Sequence, residues 1–115
     1  MKKITISVLA FVLVLIGSLK AQKVEDGINF LYEDREQSAK AVFDKLLEVN
    51  PNNIEATYWL GQTYISMHNV PAARQVYEKA LAASANAPLL IVGLGHVELL
   101  ENKPSDARQR FETAI

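Results

Sequence analysis

The sequence offers few side chains that could carry out chemistry, and none has the spacing that catalysis requires. The only histidines, His68 and His96, lie far apart in the chain, and neither has a second metal ligand at helical spacing. Gly93 and Gly95 follow no strand and precede no phosphate-binding Lys-Ser or Lys-Thr. The charged run 33–36 fits a solvated turn better than paired catalytic carboxylates. Because cysteine is also absent, we predict a protein that is not an enzyme and that holds no metal or cofactor.

A pattern of small and aromatic residues recurs every 34 residues. It predicts the secondary-structure elements that would position a functional site. In chain order the recurring positions hold Gly27, Phe30, Ala39 and Phe43, then Gly61, Tyr64, Ala73 and Tyr77, and then Gly95, Glu98, Ala107 and Phe111. A fixed period of this length indicates a stack of similar helix pairs.

This pattern resembles the tetratricopeptide repeat, a family of paired antiparallel helices that stack into a superhelix. The middle repeat matches the family at Leu60, Gly61, Tyr64, Ala73, Tyr77 and Ala80, whereas Ala85 stands where the family has proline. Glu98 departs from the aromatic position in the third repeat. The resemblance covers residues 22–115 and implies an all-α fold, an α-solenoid of three helix-turn-helix repeats at about 22–53, 54–87 and 88–115, the third incomplete.

Helical spacing and helix-stop residues predict where the helices lie. The predicted helices are Val24–Glu33, Gln37–Val49, Glu55–Met67, Pro71–Ser84 and Pro88–Leu100, with turns at 34–36, 68–70 and 102–104 and a last helix that continues to the end of the sequence. Asn52 or Asn53 is predicted to cap the third helix, and Ser105 the last.

The small residues predict how the helices of one pair meet. We expect each glycine to lie where the two helices cross, facing an alanine, since a larger side chain would push the axes apart. The expected glycine–alanine pairs are Gly27 with Ala39, Gly61 with Ala73, and Gly95 with Ala107. The aromatic residues Phe43, Tyr77 and Phe111 are then expected to fill the space between one pair and the next.

The N-terminus has the layout of a secretory signal peptide. Two lysines follow Met1, a nearly unbroken apolar run extends from Ile4 to Gly17, and Ala21 is suited to cleavage. We predict a signal peptide at residues 1–21 and a bacterial protein that is periplasmic or associated with the cell envelope. The alternative is an uncleaved membrane anchor, although the apolar run is shorter than the ~20 residues that span a bilayer.

Charge argues against two classes of partner. Residues 1–21 hold three of the twelve basic residues and no acid, so residues 22–115 carry 9 basic against 13 acidic residues, a net charge of −4. Nucleic acids and anionic membrane surfaces both require a basic face. We therefore predict no nucleic-acid partner, and no membrane insertion after the signal is cleaved.

In the family that the chain resembles, the first helices of the pairs line a concave groove. By this resemblance we predict a protein-binding groove that is mostly apolar, as suits an amphipathic helix or an extended peptide. Its predicted residues are Ile28, Leu31, Tyr32, Tyr58, Gln62, Ile65, Leu89, Val92, His96 and Leu99. The alternative is that these side chains only pack against one another. Residues 88–100 are apolar on nearly every side, which favours a further cover by a partner or by later chain.

From these expectations we predict that the protein is a non-catalytic scaffold, which is exported and binds a protein or peptide partner in the groove. The alternative is an N-terminal accessory domain of a longer exported enzyme or envelope-assembly protein. A third interpretation is self-association through an open end at Phe111 and Ile115. The sequence does not identify the partner, because a repeat specifies a shape and a few side chains choose the ligand.

Overall fold

A computed structural model describes residues 22–115, in which every regular element is an α-helix. The helices are α1 (Val24–Tyr32), α2 (Glu36–Val49), α3 (Ile54–Ser66), α4 (Val70–Ala83), α5 (Pro88–Leu100) and α6 (Pro104–Ala114). The predicted all-α fold of three helix pairs is confirmed, whereas the predicted signal peptide at 1–21 lies outside the described residues. Within the described range, no helix combines the length and apolar character needed to cross a bilayer.

The helices form three hairpins, α1–α2, α3–α4 and α5–α6, that stack in chain order. Each helix contacts the next, and the first helices also contact one another, α1 with α3 and α3 with α5. Within residues 22–115 the second helices α2, α4 and α6 make no such contacts with one another. The first helices thus form a close inner row and the second helices spread apart outside it, which is the arrangement of a curved helical solenoid.

The turn inside each hairpin places one residue in the left-handed backbone conformation. Asp34, His68 and Asn102 have φ angles of 57°, 60° and 62°, and they occupy equivalent positions in the 34-residue repeat. In every hairpin the following amide donates a 2.8 Å hydrogen bond to the carbonyl oxygen five residues earlier, which closes the end of the first helix. Asp, Asn and His are the non-glycine residues that tolerate this conformation best. The turn therefore accounts for His68.

Helix α4 begins one residue earlier than predicted. Val70, predicted to lie in the turn, is the first helical residue, and Pro71 is the second. The reason is that the Asn69 side chain caps the helix by accepting a 3.2 Å hydrogen bond from the Ala72 amide.

The other predicted helix starts have mixed outcomes. The cap at Asn53 is confirmed, because its side chain accepts a 3.0 Å hydrogen bond from the Ala56 amide. The predicted turn residue Pro104 is instead the first residue of α6, a position where its missing N–H has no consequence. The predicted cap Ser105 is consequently inside the helix, and its role as a cap is wrong.

Each first helix carries a buried glycine that lies against an aromatic ring of its partner helix. The contacting pairs are Gly27 with Phe43, Gly61 with Tyr77 and Gly95 with Phe111. A Cβ atom on Gly27 would lie 2.5 Å from Cε1 of Phe43, and one on Gly95 would lie 2.6 Å from Cε1 of Phe111. Real Cβ atoms do not approach ring carbons so closely, so only glycine lets the ring reach the helix backbone.

The predicted pairing of each glycine with an alanine stays a prediction, because the contacts established at each glycine are those with the ring. Ala39, Ala73 and Ala107 are fully buried, as expected of small residues in a helix interface. The atoms nearest to where a Cβ atom of each glycine would stand belong to the aromatic ring.

Tyr77 also has the role predicted for the aromatic residues, because it joins two hairpins. A Cβ atom on Gly93, in α5, would lie 2.5 Å from Cζ of Tyr77, so the ring is enclosed between glycines of α3 and α5. A polar contact supports the same interface: the Arg74 guanidinium of α4 is ion-paired with Glu101, which follows α5. The Arg74 Nε atom lies 3.1 and 3.0 Å from the two Glu101 carboxylate oxygens.

Replacing Gly61 by alanine tests the ring contact. An alanine in a helix interior is favoured over glycine by about 1 kcal/mol, but overpacking a full core costs about 1–3 kcal/mol. We expect Gly61→Ala to lower the free energy of unfolding by up to about 2 kcal/mol in denaturant titration, which is the difference between these two effects. The exposed change Ala82→Gly in α4 serves as the control for helix propensity. A Gly61→Ala protein more stable than the wild type would show that Tyr77 does not occupy this space.

The ion pair of Glu101 predicts a dependence of stability on pH. The hydrogen bond from Arg74, which outweighs desolvation, lowers the pKa of Glu101 in the folded chain. A lowered folded pKa stabilises the fold at pH above the unfolded pKa, and this stabilisation is lost as pH falls through the folded pKa. We expect Glu101→Gln to destabilise the chain by about 1 kcal/mol or less at neutral pH, because water screens the pair. In strong acid the two proteins should be equally stable.

The exposed change Glu112→Gln in α6 is the matched control for that measurement. A difference between wild type and Glu101→Gln that persists unchanged into strong acid would contradict an ionic origin.

Candidate protein-binding face

The predicted groove residues lie on the first helices α1, α3 and α5, which form the inner row of the stack. We call this surface the inner face, and its residues are Ile28, Leu31, Tyr32, Tyr58, Gln62, Ile65, Leu89, Val92, His96 and Leu99. Each is half-buried or exposed, and none is fully buried. The inner face is thus accessible on all three hairpins, as a binding surface requires.

The residues that are most exposed lie at the two ends of the inner face. Tyr32 at the end of α1 is 82% exposed, and Leu99 near the end of α5 is 48% exposed. Leu89 is also exposed, at the start of α5. Large apolar side chains in such positions are available to a partner.

Four inner-face residues contribute to the core as well. Ile28 and Leu31 pack against the cluster around Phe43, and Tyr58 and Ile65 pack against the cluster around Tyr77. These contacts give the four side chains a packing role, and their role in binding a partner stays a prediction. They support the stack with one part of their surface and leave another part accessible.

A hydrogen-bond network fixes the middle of the inner face. The Tyr77 hydroxyl donates to the Tyr58 carbonyl oxygen at 2.7 Å and accepts from Nε2 of Gln62 at 3.0 Å. Burial of the ring raises the pKa of Tyr77 well above its ordinary value, and the bond from Gln62 opposes this only in part. The hydroxyl is therefore a neutral structural group, and it orients Gln62 and the backbone of α3.

The inner face is an open surface rather than an enclosed cavity. One cavity, of about 860 Å³, lies along the outer side of α2, and another, of about 580 Å³, lies between α4 and α6. Neither is lined by an inner-face residue. An open apolar surface suits a helix or an extended peptide better than a small molecule, which needs a pocket that encloses most of its surface.

The described residues contain no arrangement that suggests metal chemistry. Across residues 22–115, no three His, Asp or Glu side chains come together in a way that could hold a metal ion. His96 is half-buried on the inner face and His68 is exposed in its turn.

Sequence reasoning missed the second cavity and its most unusual residue, Glu98. This side chain is only 2% exposed, although a glutamate on a surface helix is ordinarily solvated. The signal was present in the repeat, because Glu98 occupies the position of Phe30 and Tyr64, which both pack against the core clusters. The Arg110 Nε atom donates a 2.8 Å hydrogen bond to one Glu98 carboxylate oxygen.

A comparison with known protein families identifies the family to which this stack of helix pairs belongs. The sequence profile described as "Tetratricopeptide repeat" matches residues 30–88, more than half of the chain. The chain belongs to the tetratricopeptide repeat family. Tetratricopeptide repeats are in general non-catalytic modules that bind protein partners.

Two individual proteins show how far the likeness extends. The tetratricopeptide repeat protein 1 of Schizosaccharomyces pombe is 38% identical over 55 residues, which are 48% of this chain and 5% of that protein. The crystal structure of MamA superposes with a TM-score of 0.66 at 22% identity, covering 84% of this chain and 58% of MamA. The chain thus spans a small part of the first protein and just over half of the second. The likeness to MamA bears on the fold alone.

The Tyr77 hydroxyl is predicted to stabilise this tetratricopeptide repeat stack. Tyr77→Phe removes two hydrogen bonds, one to the Tyr58 carbonyl oxygen and one from the Gln62 amide, and a typical hydrogen bond contributes about 0.5–1.5 kcal/mol. We expect a loss of about 1–2 kcal/mol in the free energy of unfolding. The control is Tyr32→Phe, since Tyr32 is 82% exposed. Equal stability of the two variants would show that the network contributes nothing.

Proposed function

We propose that this tetratricopeptide repeat chain is a non-catalytic scaffold that binds a protein or peptide segment along its inner face. The observation that carries the proposal is the exposure of apolar side chains along the row of first helices, from Tyr32 in α1 to Leu89 and Leu99 in α5. A monomeric protein rarely exposes such a row without a partner. An amphipathic helix or an extended peptide would cover it.

Helix α5 supports the proposal most strongly. Its own chain buries Leu90, Leu94 and Val97, whereas Leu89, Leu99 and Leu100 stay exposed. A helix that is apolar on nearly every side is normally covered on every side. A partner segment seated beside Val92 would complete that cover.

We also propose that the protein is exported and acts in the bacterial periplasm or cell envelope. The support is the sequence of residues 1–21, with its basic start, apolar run and small residue at the predicted cleavage point. The acidic balance of residues 22–115 favours a protein partner over nucleic acid or an anionic membrane.

The second candidate function is an accessory domain within a longer exported enzyme or envelope-assembly protein. It is favoured by the S. pombe relative, in which the matching segment makes up only 5% of the protein. The reading frame downstream of Ile115 distinguishes the two, because a catalytic domain encoded there would favour the accessory role.

Self-association through Ile115, which is fully exposed, predicts a molecular mass that rises with protein concentration in light scattering.

Photocrosslinking in cells tests the binding face. A photoreactive amino acid at Tyr32 or Leu99 is expected to capture a partner, whereas one at the exposed Gln75 of α4, on the outer side, is not. The substitution Val92→Lys places a charge in the apolar surface and should reduce crosslinking by about tenfold, since burying an unpaired charge is costly. Gln75→Lys adds the same charge outside the inner face and should leave crosslinking unchanged.

Helicity and denaturation of Val92→Lys complete that test. The variant is expected to keep its helical circular dichroism, because Val92 is only half-buried. Unfolding of Val92→Lys would identify this position as core rather than binding surface. Crosslinking that is equal at Gln75 and at Leu99 would contradict the inner face as the binding site.

A further inference from the structure

The cavity between α4 and α6 has a floor made by the outward side of α5. It measures about 580 Å³, and Ile91 and Glu98 of α5 form part of its lining. At 100° per residue Ile91 and Glu98 point the same way from α5, whereas Val92 and His96 point to the other side. The outer cavity, as we call it, is therefore separate from the inner face, and its volume is within the range of about 300–1,000 Å³ found for ligand sites.

The buried carboxylate of Glu98 is the polar centre of the outer cavity. One of its oxygens accepts the hydrogen bond from Arg110, and the other, Oε2, is buried with no hydrogen-bond partner among the described residues. A buried acceptor without a donor costs free energy, and more so when it is charged. A hydrogen-bond donor that reaches Oε2 would remove this cost, which requires the carboxylate to turn toward the cavity because almost none of Oε2 is exposed.

The basic residues of the outer cavity are largely neutralised by ion pairs, which makes room for a cationic donor. Its lining carries Arg74, Lys103 and Arg110 against Glu98 and Asp106. Arg74 is already ion-paired with Glu78 and Glu101. Including those two partners, the site has three basic and four acidic groups, and its net charge is −1. One incoming positive charge would balance it.

The apolar part of the lining favours a cation on a hydrocarbon stem. Leu81, Ala85 and Ile91 provide apolar surface beside the carboxylate. Arginine and lysine side chains match such a site, because their methylene groups lie along apolar surface while the charged end makes hydrogen bonds. The planar guanidinium of arginine matches a carboxylate best.

We propose that the outer cavity binds an arginine or lysine side chain presented by a partner protein, with the cationic group donating to Oε2 of Glu98. This site lies on the side of the stack away from the inner face, so that one copy of the chain can hold two protein segments at once. Asp106 at the rim adds attraction for the same charge.

Titration with a short peptide tests the site on the full chain. The probe is acetyl-Ala-Arg-Ala-amide, followed by the backbone amide signals of Ile91, Lys103 and Thr113 in proton–nitrogen correlation spectra. We expect saturable shifts at these residues with a dissociation constant of about 1 mM, as suits a single side chain. The same peptide with citrulline in place of arginine keeps the shape without the charge. It should bind about tenfold more weakly.

The matched variants assign the binding to the carboxylate. Glu98→Gln should weaken binding of the arginine peptide by about tenfold, whereas Glu112→Gln, on the exposed side of α6, should not change it. Absence of saturable shifts would overturn the proposal. Equal affinity for the citrulline peptide, or unchanged affinity in Glu98→Gln, would also overturn it and leave Glu98 as a structural residue.

Two further measurements keep the test decisive. If Glu98→Gln does not fold, the exposed change Asp106→Asn should still weaken binding by about threefold, and unchanged affinity there would count against the site. Propylguanidine, a small free cation with the same guanidinium and the same single charge, distinguishes the source of the ligand. Weaker binding of propylguanidine than of the tripeptide supports a polypeptide partner. Equal or tighter binding would assign the cavity to small cations and overturn the proposed partner.

Discussion

The structure depends on the contact between an aromatic ring and a helix backbone left bare by glycine. In each hairpin the ring of the second helix lies where a side chain of the first helix would otherwise stand. Glycine in a helix interior costs about 1 kcal/mol relative to alanine. Four such positions, Gly27, Gly61, Gly93 and Gly95, persist in contact with rings, so the close packing must return more free energy than the helices lose.

This contact shapes the stack and, through it, the two surfaces at which we propose that partners bind. The glycines lie on the first helices, which approach one another closely, while the second helices carry the rings and stay apart. A stack that is tight along one row and open along the other has two different surfaces. The tight row exposes an apolar strip from Tyr32 to Leu99, and the open row leaves a cavity over Glu98. Both surfaces follow from one repeated packing rule.

Most of the fold could be predicted from the sequence because one period governs it. Helix pairs and glycine positions follow from residue type and spacing, and so does a cap at Asn52 or Asn53, between which the structure decides in favour of Asn53. The start of α4 at Val70 could not, since it depends on whether Asn69 or a later residue captures a free amide. The contact of each glycine with an aromatic ring could not be predicted either. Residue spacing shows which face of a helix a side chain is on, but not how far that side chain reaches.

The proposed binding surfaces were less predictable than the fold, for a physical reason. A sequence gives the inner face as a set of positions, but whether Tyr58 serves the core or a partner depends on its contact with Tyr77. The burial of Glu98 depends on the packing of α4 and α6 around α5, which is a tertiary property. Its position in the repeat indicated burial, because the equivalent residues Phe30 and Tyr64 pack against the core. Its charge indicated the opposite, an exposed side chain.

The most direct measurement of the central claim is the proton nuclear Overhauser spectrum of the folded chain. A Tyr77 ring enclosed between α3 and α5 should show cross-peaks from its ring protons to the α-protons of both Gly61 and Gly93, and those α-protons should be shifted by the ring current. Cross-peaks to Ala73 and to neither glycine would contradict the account.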